Sequence, residues 1–300
     1  MTLIESITAQ SARLKQAGVS FGHGTLNAFD EAAWLVLWSL GLPLDALEQH
    51  AKRELTADEL AKADAIVTKR IDTRLPAAYL TQEAWLQNVP FYVDQRSIVP
   101  RSFIAELLVD GEGEGTLDAW LSDETHHVLD LCTGNGSLAV IAAMAYPEIV
   151  VDATDVSDDA LAVARINVDK HKMGKRIALL TSDLFSAVRG PYDLILCNPP
   201  YVNAQSMSDL PAEYQHEPAL ALAGGDDGMD LVRRIVREAP AHMTPDAVLV
   251  LEIGHERANF EHAFRRLETA WLETSAGDDQ VLLLTRDAMA RWNRGAEGKK

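Results

Sequence analysis

From residue 127 to residue 285 the chain alternates between short β-branched, apolar runs and stretches of helical periodicity, and this alternation restricts the fold more than any other feature. Strands are expected over 127–132, 149–154, 177–180, 192–197 and 247–253, with helices over 138–146, 158–171, 229–241 and 257–267. Ser157 is placed to cap the helix that follows it. Strand–helix repeats of this kind build a mostly parallel sheet covered on both faces. Two last strands, 271–274 and 281–285, with Gly277-Asp278-Asp279 between them, read as an antiparallel hairpin on its edge. The expected fold class is α/β, a doubly wound Rossmann-like sheet.

The first 75 residues read differently. Ala33, Leu37 and Leu40 recur at helical spacing beside Trp34 and Trp38, and Thr56 followed by Glu59 fits a capping box. No catalytic constellation stands there, so a small helical substrate-docking domain over 1–75 is the expectation. Residues 76–100 are expected to form a linker with a β-hairpin. Trp85, Phe91, Tyr92, Val93, Ile98 and Val99 suit strands, with a turn near Asp94-Gln95 and a stop at Pro100-Arg101. The alternating domain then spans 101–290. Gly111-Glu112-Gly113-Glu114-Gly115 reads as a flexible acidic loop and 291–300 as a flexible polar tail.

Charge narrows the partners. The chain has 27 Lys and Arg against 45 Asp and Glu, a formal net charge of −18. It lacks the basic surface that displaces counterions from phosphates, so direct DNA binding is not expected. A basic protein partner is compatible, through electrostatic steering. The apolar stretch 32–44 is interrupted by Gly41 and Pro43 and falls short of the roughly 20 residues a bilayer requires, so no membrane association is expected. Cys132 and Cys197 are the only cysteines; they offer no disulfide framework and no zinc spacing, and read as small buried hydrophobes. With no basic, then apolar leader, the expected address is cytoplasmic. No metal is expected.

Ligand-binding residues gather at the expected strand tips. The first strand runs into Asp130-Leu131-Cys132-Thr133-Gly134-Asn135-Gly136-Ser137, where Gly134 and Gly136 let the backbone turn tightly and approach a ligand. Asp155, at the second tip, can accept both hydroxyls of a ribose. Gly134, Gly136 and Ala139 also fit the dinucleotide pattern G-x-G-x-x-A. Two features favour S-adenosylmethionine over NAD. Asp130 suits a ligand that carries an ammonium and a sulfonium. After the third strand, Asp183 can accept from an adenine amino group while Leu184 covers the ring. Open α/β sheets bind ligands at this carboxyl edge.

The fourth strand ends in Asn198-Pro199-Pro200-Tyr201. Each proline lacks an N–H and fixes its own φ, and each pushes the residue before it toward extended geometry. The product is a stiff bend with bare carbonyls, one amide and one aromatic face, suited to gripping a planar –NH2 group for methylation. In a sheet that reverses at its first strand, this corner lies beside the glycine loop.

Together the glycine loop, Asp155, Asp183 and Asn198 to Tyr201 resemble the class I methyltransferases that modify glutamine side-chain amides. The segments Arg74-Leu75-Pro76-Ala77-Ala78-Tyr79-Leu80-Thr81, Glu213-Tyr214-Gln215-His216-Glu217-Pro218 and Gly225-Asp226-Asp227-Gly228-Met229-Asp230 resemble the bacterial branch acting on a glutamine of large-subunit ribosomal protein L-three. Phe91-Tyr92-Val93-Asp94 and Val99-Pro100-Arg101-Ser102 do the same. The sister branch, acting on release factors, usually carries Pro-Arg-Pro-Glu-Thr-Glu where Pro100-Arg101-Ser102-Phe103-Ile104-Ala105 stands here. Phe103 also departs from the proline expected in the ribosomal branch.

The resemblance implies contacts to S-adenosylmethionine from Cys132, Thr133, Gly134, Asn135, Gly136, Asp155, Asp183 and Leu184. It implies substrate-amide contacts from Asn198, Pro199, Pro200 and Tyr201, with Asn198 also beside the cofactor. The expected product is S-adenosyl-L-homocysteine, and the expected partner is a basic ribosomal protein, free or in an assembly intermediate. Asn198 and Pro199 accept the two amide hydrogens in this scheme, Tyr201 packs over the amide, and no general base is assigned; His216 reads as a structural loop histidine. Four alternatives stay open: a release-factor glutamine methyltransferase, an adenine-N6 nucleic-acid methyltransferase with the same strand tip, an NAD-dependent oxidoreductase, and a non-enzymatic ribosome-assembly factor.

Overall fold

A computed structural model describes residues 1–109 and 116–297; the acidic loop expected from Gly111 to Gly115 lies outside them. The chain opens with helices α1 (Leu3–Gln16), α2 (Ala28–Ser39), α3 (Leu47–His50), α4 (Ala57–Thr73) and α5 (Ala77–Thr81). Helices α1 and α4 each start with a complete capping box, Thr2 with Glu5 and Thr56 with Glu59, and Asn27 caps α2. Their inward faces close on Leu3, Ile7, Leu14, Leu35, Leu37 and Val67.

Next come β1 (Glu83–Leu86) and β2 (Val89–Tyr92), a two-stranded hairpin. Its turn is Gln87-Asn88, with both residues left-handed (φ +48° and +59°), the twist that matches a two-residue hairpin. The turn expected near Asp94-Gln95 is therefore misplaced. Asp94 instead folds its carboxylate back onto the Arg96 amide and guanidinium, a local bend after the hairpin has ended.

Helix α6 (Ile104–Leu108) and a 3-10 turn (Thr116–Trp120) lead into the alternating region: β3 (His127–Leu131), α7 (Ser137–Ala145), β4 (Val150–Asp155), α8 (Asp158–Lys170), β5 (Ile177–Thr181) and β6 (Tyr192–Cys197). It continues through α9 (Ala204–Asp209), α10 (Asp230–Glu238), β7 (Met243–Glu252), α11 (Arg257–Ala263), β8 (Ala270–Thr274), β9 (Gly277–Thr285) and α12 (Arg286–Glu297). The seven-stranded sheet has the order β5-β4-β3-β6-β7-β9-β8, and only the pairings made by β9 are antiparallel. This is the expected doubly wound α/β sheet with an antiparallel edge.

Alternation along the central strands sorts the core. Leu129, Leu131, Ile195, Cys197, Leu249 and Leu251 pack on α10, α11 and α12. Val128, Leu194, Leu196, Val248 and Val250 pack on α6, α7 and α8. Both faces are covered, which is why these strands read as continuous apolar runs.

Two details at the C-terminal end differ from expectation. Thr274 pairs with Gly277, so the hairpin turns at Ser275-Ala276 and Gly277-Asp278-Asp279 belongs to β9. Residues 291–297 are helical, the second half of α12, and not a polar tail. Met289 is buried, Trp292 packs on Phe264 with ring centroids 5.4 Å apart, and its indole N–H donates to the Arg265 carbonyl. Among the described residues no helix is long and apolar enough to cross a membrane.

Candidate active site

Parallel pairing of β3 with β6 aligns Leu131 with Cys197, so the glycine loop and the Asn-Pro-Pro-Tyr corner leave the sheet side by side. A cavity of about 330 Å³ opens there, within the size range of small-molecule sites. Of the residues singled out in the sequence, Cys132, Gly134, Asp155, Asp183, Leu184, Asn198 and Pro200 line it. Ile98, Leu131, Leu220 and Leu231 supply apolar wall, and Arg96 and Arg234 stand at it as well.

Asp155 is fixed at its strand tip by two amides, Gly134 N–H on Oδ2 and Ser157 N–H on Oδ1, each at 2.9 Å. Burial pushes its pKa up, and those amides pull it back. Asp183 is more exposed and takes Arg234 Nη1 at 2.9 Å. Cys132 (φ +62°) and Leu184 (φ +48°) are both left-handed non-glycine residues on the cavity wall. The Ser182 hydroxyl donates to the Leu184 carbonyl at 2.6 Å and holds that turn.

Asp130, Thr133, Asn135 and Gly136 do not line the cavity. They build the loop from beneath. Asp130 lies on the face of β3 that meets α7, wholly buried, and its Oδ2 accepts from Thr133 Oγ1 (2.5 Å) and Ala139 N–H (3.0 Å). Burial raises its pKa to about 7 against those two bonds. One oxygen of this carboxylate thus braces the loop, while its Oδ1 is buried without a protein partner. Thr133 N–H donates to the Thr154 carbonyl, Asn135 Oδ1 accepts from Ser137 N–H, and Gly136 rests on α8, where an added Cβ would come within 3.1 Å of Ala164.

On the other side of the corner lies a second pocket of about 170 Å³, walled by Ile98, Arg101, Asn198, Pro199, Tyr201, Leu210, Tyr214 and Leu222. Asn198 thus stands in the wall of both cavities. Tyr201 sits in a cradle of three glycines. A Cβ on Gly254 would fall 2.5 Å from its ring, one on Gly224 2.7 Å from its Cα, and one on Gly228 into its carbonyl oxygen. Backbone bonds from Val202 N–H to Leu222 and from Gly224 N–H to Val202 lock the cradle in place. The Gly225–Asp230 stretch, noticed in the sequence only through the family resemblance, is part of this seat.

The loop after the corner is tied to the N-terminal helices by buried charges. Glu213 accepts from Ser20 N–H at 3.0 Å and from Arg70 and Arg74 at 3.3 Å each, while the buried Arg70 also binds Glu31 at 2.8 Å. Glu217 takes both terminal nitrogens of Arg101 (2.6 and 2.7 Å) and Val99 N–H (2.9 Å), with His23 Nε2 at 3.6 Å. Tyr214 lies between His23, 4.2 Å centroid to centroid, and the Arg101 guanidinium, 5.5 Å away. His216 contacts the Thr73 carbonyl at 3.0 Å, a structural tether of the kind expected of it. Burial alone raises Glu31; at Glu217 burial is outweighed by Arg101 and His23, which hold its pKa at about 2. These partners are more than 100 residues apart in several cases, so no short motif reveals them.

The fold and this site define a Rossmann-like class I methyltransferase. A family model described as "Methyltransferase small domain" matches residues 112–214. The chain is 53% identical over 283 residues to a ribosomal protein uL3 glutamine methyltransferase of Burkholderia pseudomallei, covering 91% of each chain. It is 51% identical over 291 residues to one of Bordetella pertussis, covering 96% of each. Against one of Neisseria meningitidis serogroup B it is 49% identical over 280 residues, covering 93% of this chain and 91% of that one. The chain belongs to the ribosomal protein uL3 glutamine methyltransferase family.

Gly254→Ala should displace the Tyr201 ring and cut methyl transfer at least about tenfold while leaving cofactor affinity intact, read by steady-state kinetics alongside calorimetry. Glu217→Gln should lower unfolding free energy by roughly 3 kcal/mol at neutral pH. Its folded pKa is depressed, so the contribution is complete above the ordinary 4.5 and disappears as pH falls toward 2. Urea titrations of both proteins should therefore converge at low pH.

Proposed function

We propose that the chain transfers the methyl group of S-adenosylmethionine to the side-chain amide nitrogen of a glutamine in ribosomal protein uL3, releasing S-adenosyl-L-homocysteine. The observation that carries this reading is Asn198 standing in the wall of both the larger cavity and the smaller pocket. The relatives, 49–53% identical and named for glutamine methylation of ribosomal protein uL3, support the substrate. The −18 charge suits a basic ribosomal protein met in the cytoplasm, and the N-terminal helices are the proposed docking module for it.

The larger cavity fits the methyl donor. Asp155 keeps free lone pairs for a ribose beyond its two amide bonds, Leu184 offers an apolar cover for adenine, and Asp183 stands at the same wall. Cys132 and Gly134 present backbone to the ligand. The bound donor supplies an electrophilic methyl on a sulfonium, so no metal or covalent nucleophile is required.

An amide nitrogen is a weak nucleophile because its lone pair is delocalised into the carbonyl. Pro199 and Pro200 lack N–H groups, so the corner offers acceptors where a –NH2 group needs them. The Asn198 side-chain oxygen and the Pro199 carbonyl take the two amide hydrogens, turning the lone pair toward the larger cavity. Tyr201 packs over the amide. Positioning of this kind can supply roughly 7–11 kcal/mol. The nitrogen, made acidic by methylation, loses a proton to water.

Incubation with labelled S-adenosylmethionine and uL3 should place one methyl on one glutamine in a mapped peptide; label on nucleic acid or on release factor alone overturns the reading. Asn198→Ala should keep cofactor affinity and lose turnover, whereas near-normal turnover removes the amide clamp. Asp155→Ala should weaken cofactor binding, measured by calorimetry, and unchanged affinity takes Asp155 out of the site.

A further inference from the structure

Behind Tyr201 stands a carboxyl group for which the scheme above has no use. Glu252 ends β7, almost wholly buried. Its Oε2 accepts from the Ser102 hydroxyl at 2.6 Å and from Phe103 N–H at 2.9 Å; its Oε1 faces the Tyr201 hydroxyl at 3.5 Å. Burying a carboxyl group is costly unless its lone pairs are occupied, and here the occupants come from the segment entering α6 on one side and the reactive corner on the other. Arg101 is the nearby cation, but both its terminal nitrogens are engaged by Glu217.

We infer that Glu252 is a positioning residue for methyl transfer, holding the Tyr201 phenol against the Asn198–Pro200 corner from a seat made by Ser102 and the Phe103 amide. This rests on Tyr201 being part of the amide site. A proline at 103, the residue the family resemblance leads one to expect, would have no N–H to give. Phe103 has φ −71°, a value proline adopts without strain. The groups facing Glu252 are Ser102, the Phe103 and Ile104 amides, Arg101 and Tyr201, with Tyr214 further out beside Arg101. Burial raises the Glu252 pKa to about 7, and the Ser102, Phe103 and Arg101 interactions keep it from rising further. A carboxylate is an acceptor only, and protonation converts one oxygen to a donor that competes for the contact. The phenol is therefore held well on the alkaline side of that value and poorly on the acid side.

The test is the pH dependence of kcat for uL3 methylation in wild type, Tyr201→Phe, Glu252→Gln, Phe103→Pro and Phe103→Ala, with cofactor affinity by calorimetry as the check on folding. Wild type should lose kcat as pH falls through about 7. Glu252→Gln should lower kcat about tenfold at alkaline pH, the loss of the carboxylate that faces the phenol, and should show no acid limb. Tyr201→Phe should lose the same limb. Phe103→Pro removes a donor to the carboxylate and should move the limb to higher pH; Phe103→Ala, which keeps the amide, should leave it in place. An unshifted limb in Tyr201→Phe, or wild-type kcat at every pH in Glu252→Gln, overturns the inference. Absence of any methylation by wild type would instead sink the proposed function and is read separately.

Discussion

Everything functional in this molecule depends on the parallel pairing of β3 with β6. That one register sets Leu131 opposite Cys197 and so delivers the glycine loop and the proline-braced corner to the same edge of the sheet. A parallel ladder fixes strand ends rigidly because its hydrogen bonds run evenly along the whole strand and both faces are packed. A slip by one residue would turn Asp130 into the wrong core or point Cys197 at the helices of the opposite face. The site is thus as precise as the sheet beneath it, and the loops add chemistry without having to supply alignment.

Alignment alone leaves the corner's outer side undefined, and the N-terminal helices complete it. Arg70, Glu31, Glu213 and Arg74 form one ionic chain, and Arg101 pairs with Glu217 beside His23 and Tyr214. Buried ion pairs of this kind add little net stability over apolar packing, but breaking one is expensive. Their value here is positional. They bind the loop at 211–217, which walls the smaller pocket, to helices that otherwise share no core with the sheet. The N-terminal helices are part of the site's architecture even though none of their residues lines the larger cavity.

The parts that were legible in the sequence are those governed by local rules. The capping boxes at Thr56 and the Ser157 cap announce helix starts within a few residues, and fully apolar strands such as 192–197 announce burial on both faces. The hairpin turn was not legible, because Gln87-Asn88 lacks the glycine that normally marks a left-handed pair. The second half of α12 looked polar, and only the docking of Trp292 against Phe264 makes it a helix worth having. The bracing of the glycine loop by Asp130 is not legible either, because only the strand's alternation in the fold sets its side chain beside α7. The charged network around Glu213 and Glu217 joins residues far apart in sequence, so no spacing encodes it.

The same contrast explains Tyr201. In the sequence it is only the last letter of a short motif. In the fold it is tightly seated: glycines at 224, 228 and 254 leave the space that its backbone and ring occupy, and Glu252 faces the end of its phenol. Glycine is entropically expensive in ordered chain, and a buried carboxyl group is expensive in desolvation. Three of the one and a single one of the other around one tyrosine is a concentration of costs that packing of the core does not require. Stability alone would favour an apolar side chain at 252. What these residues have in common is the placement of one aromatic ring at the wall of the pocket that Asn198 shares with the larger cavity.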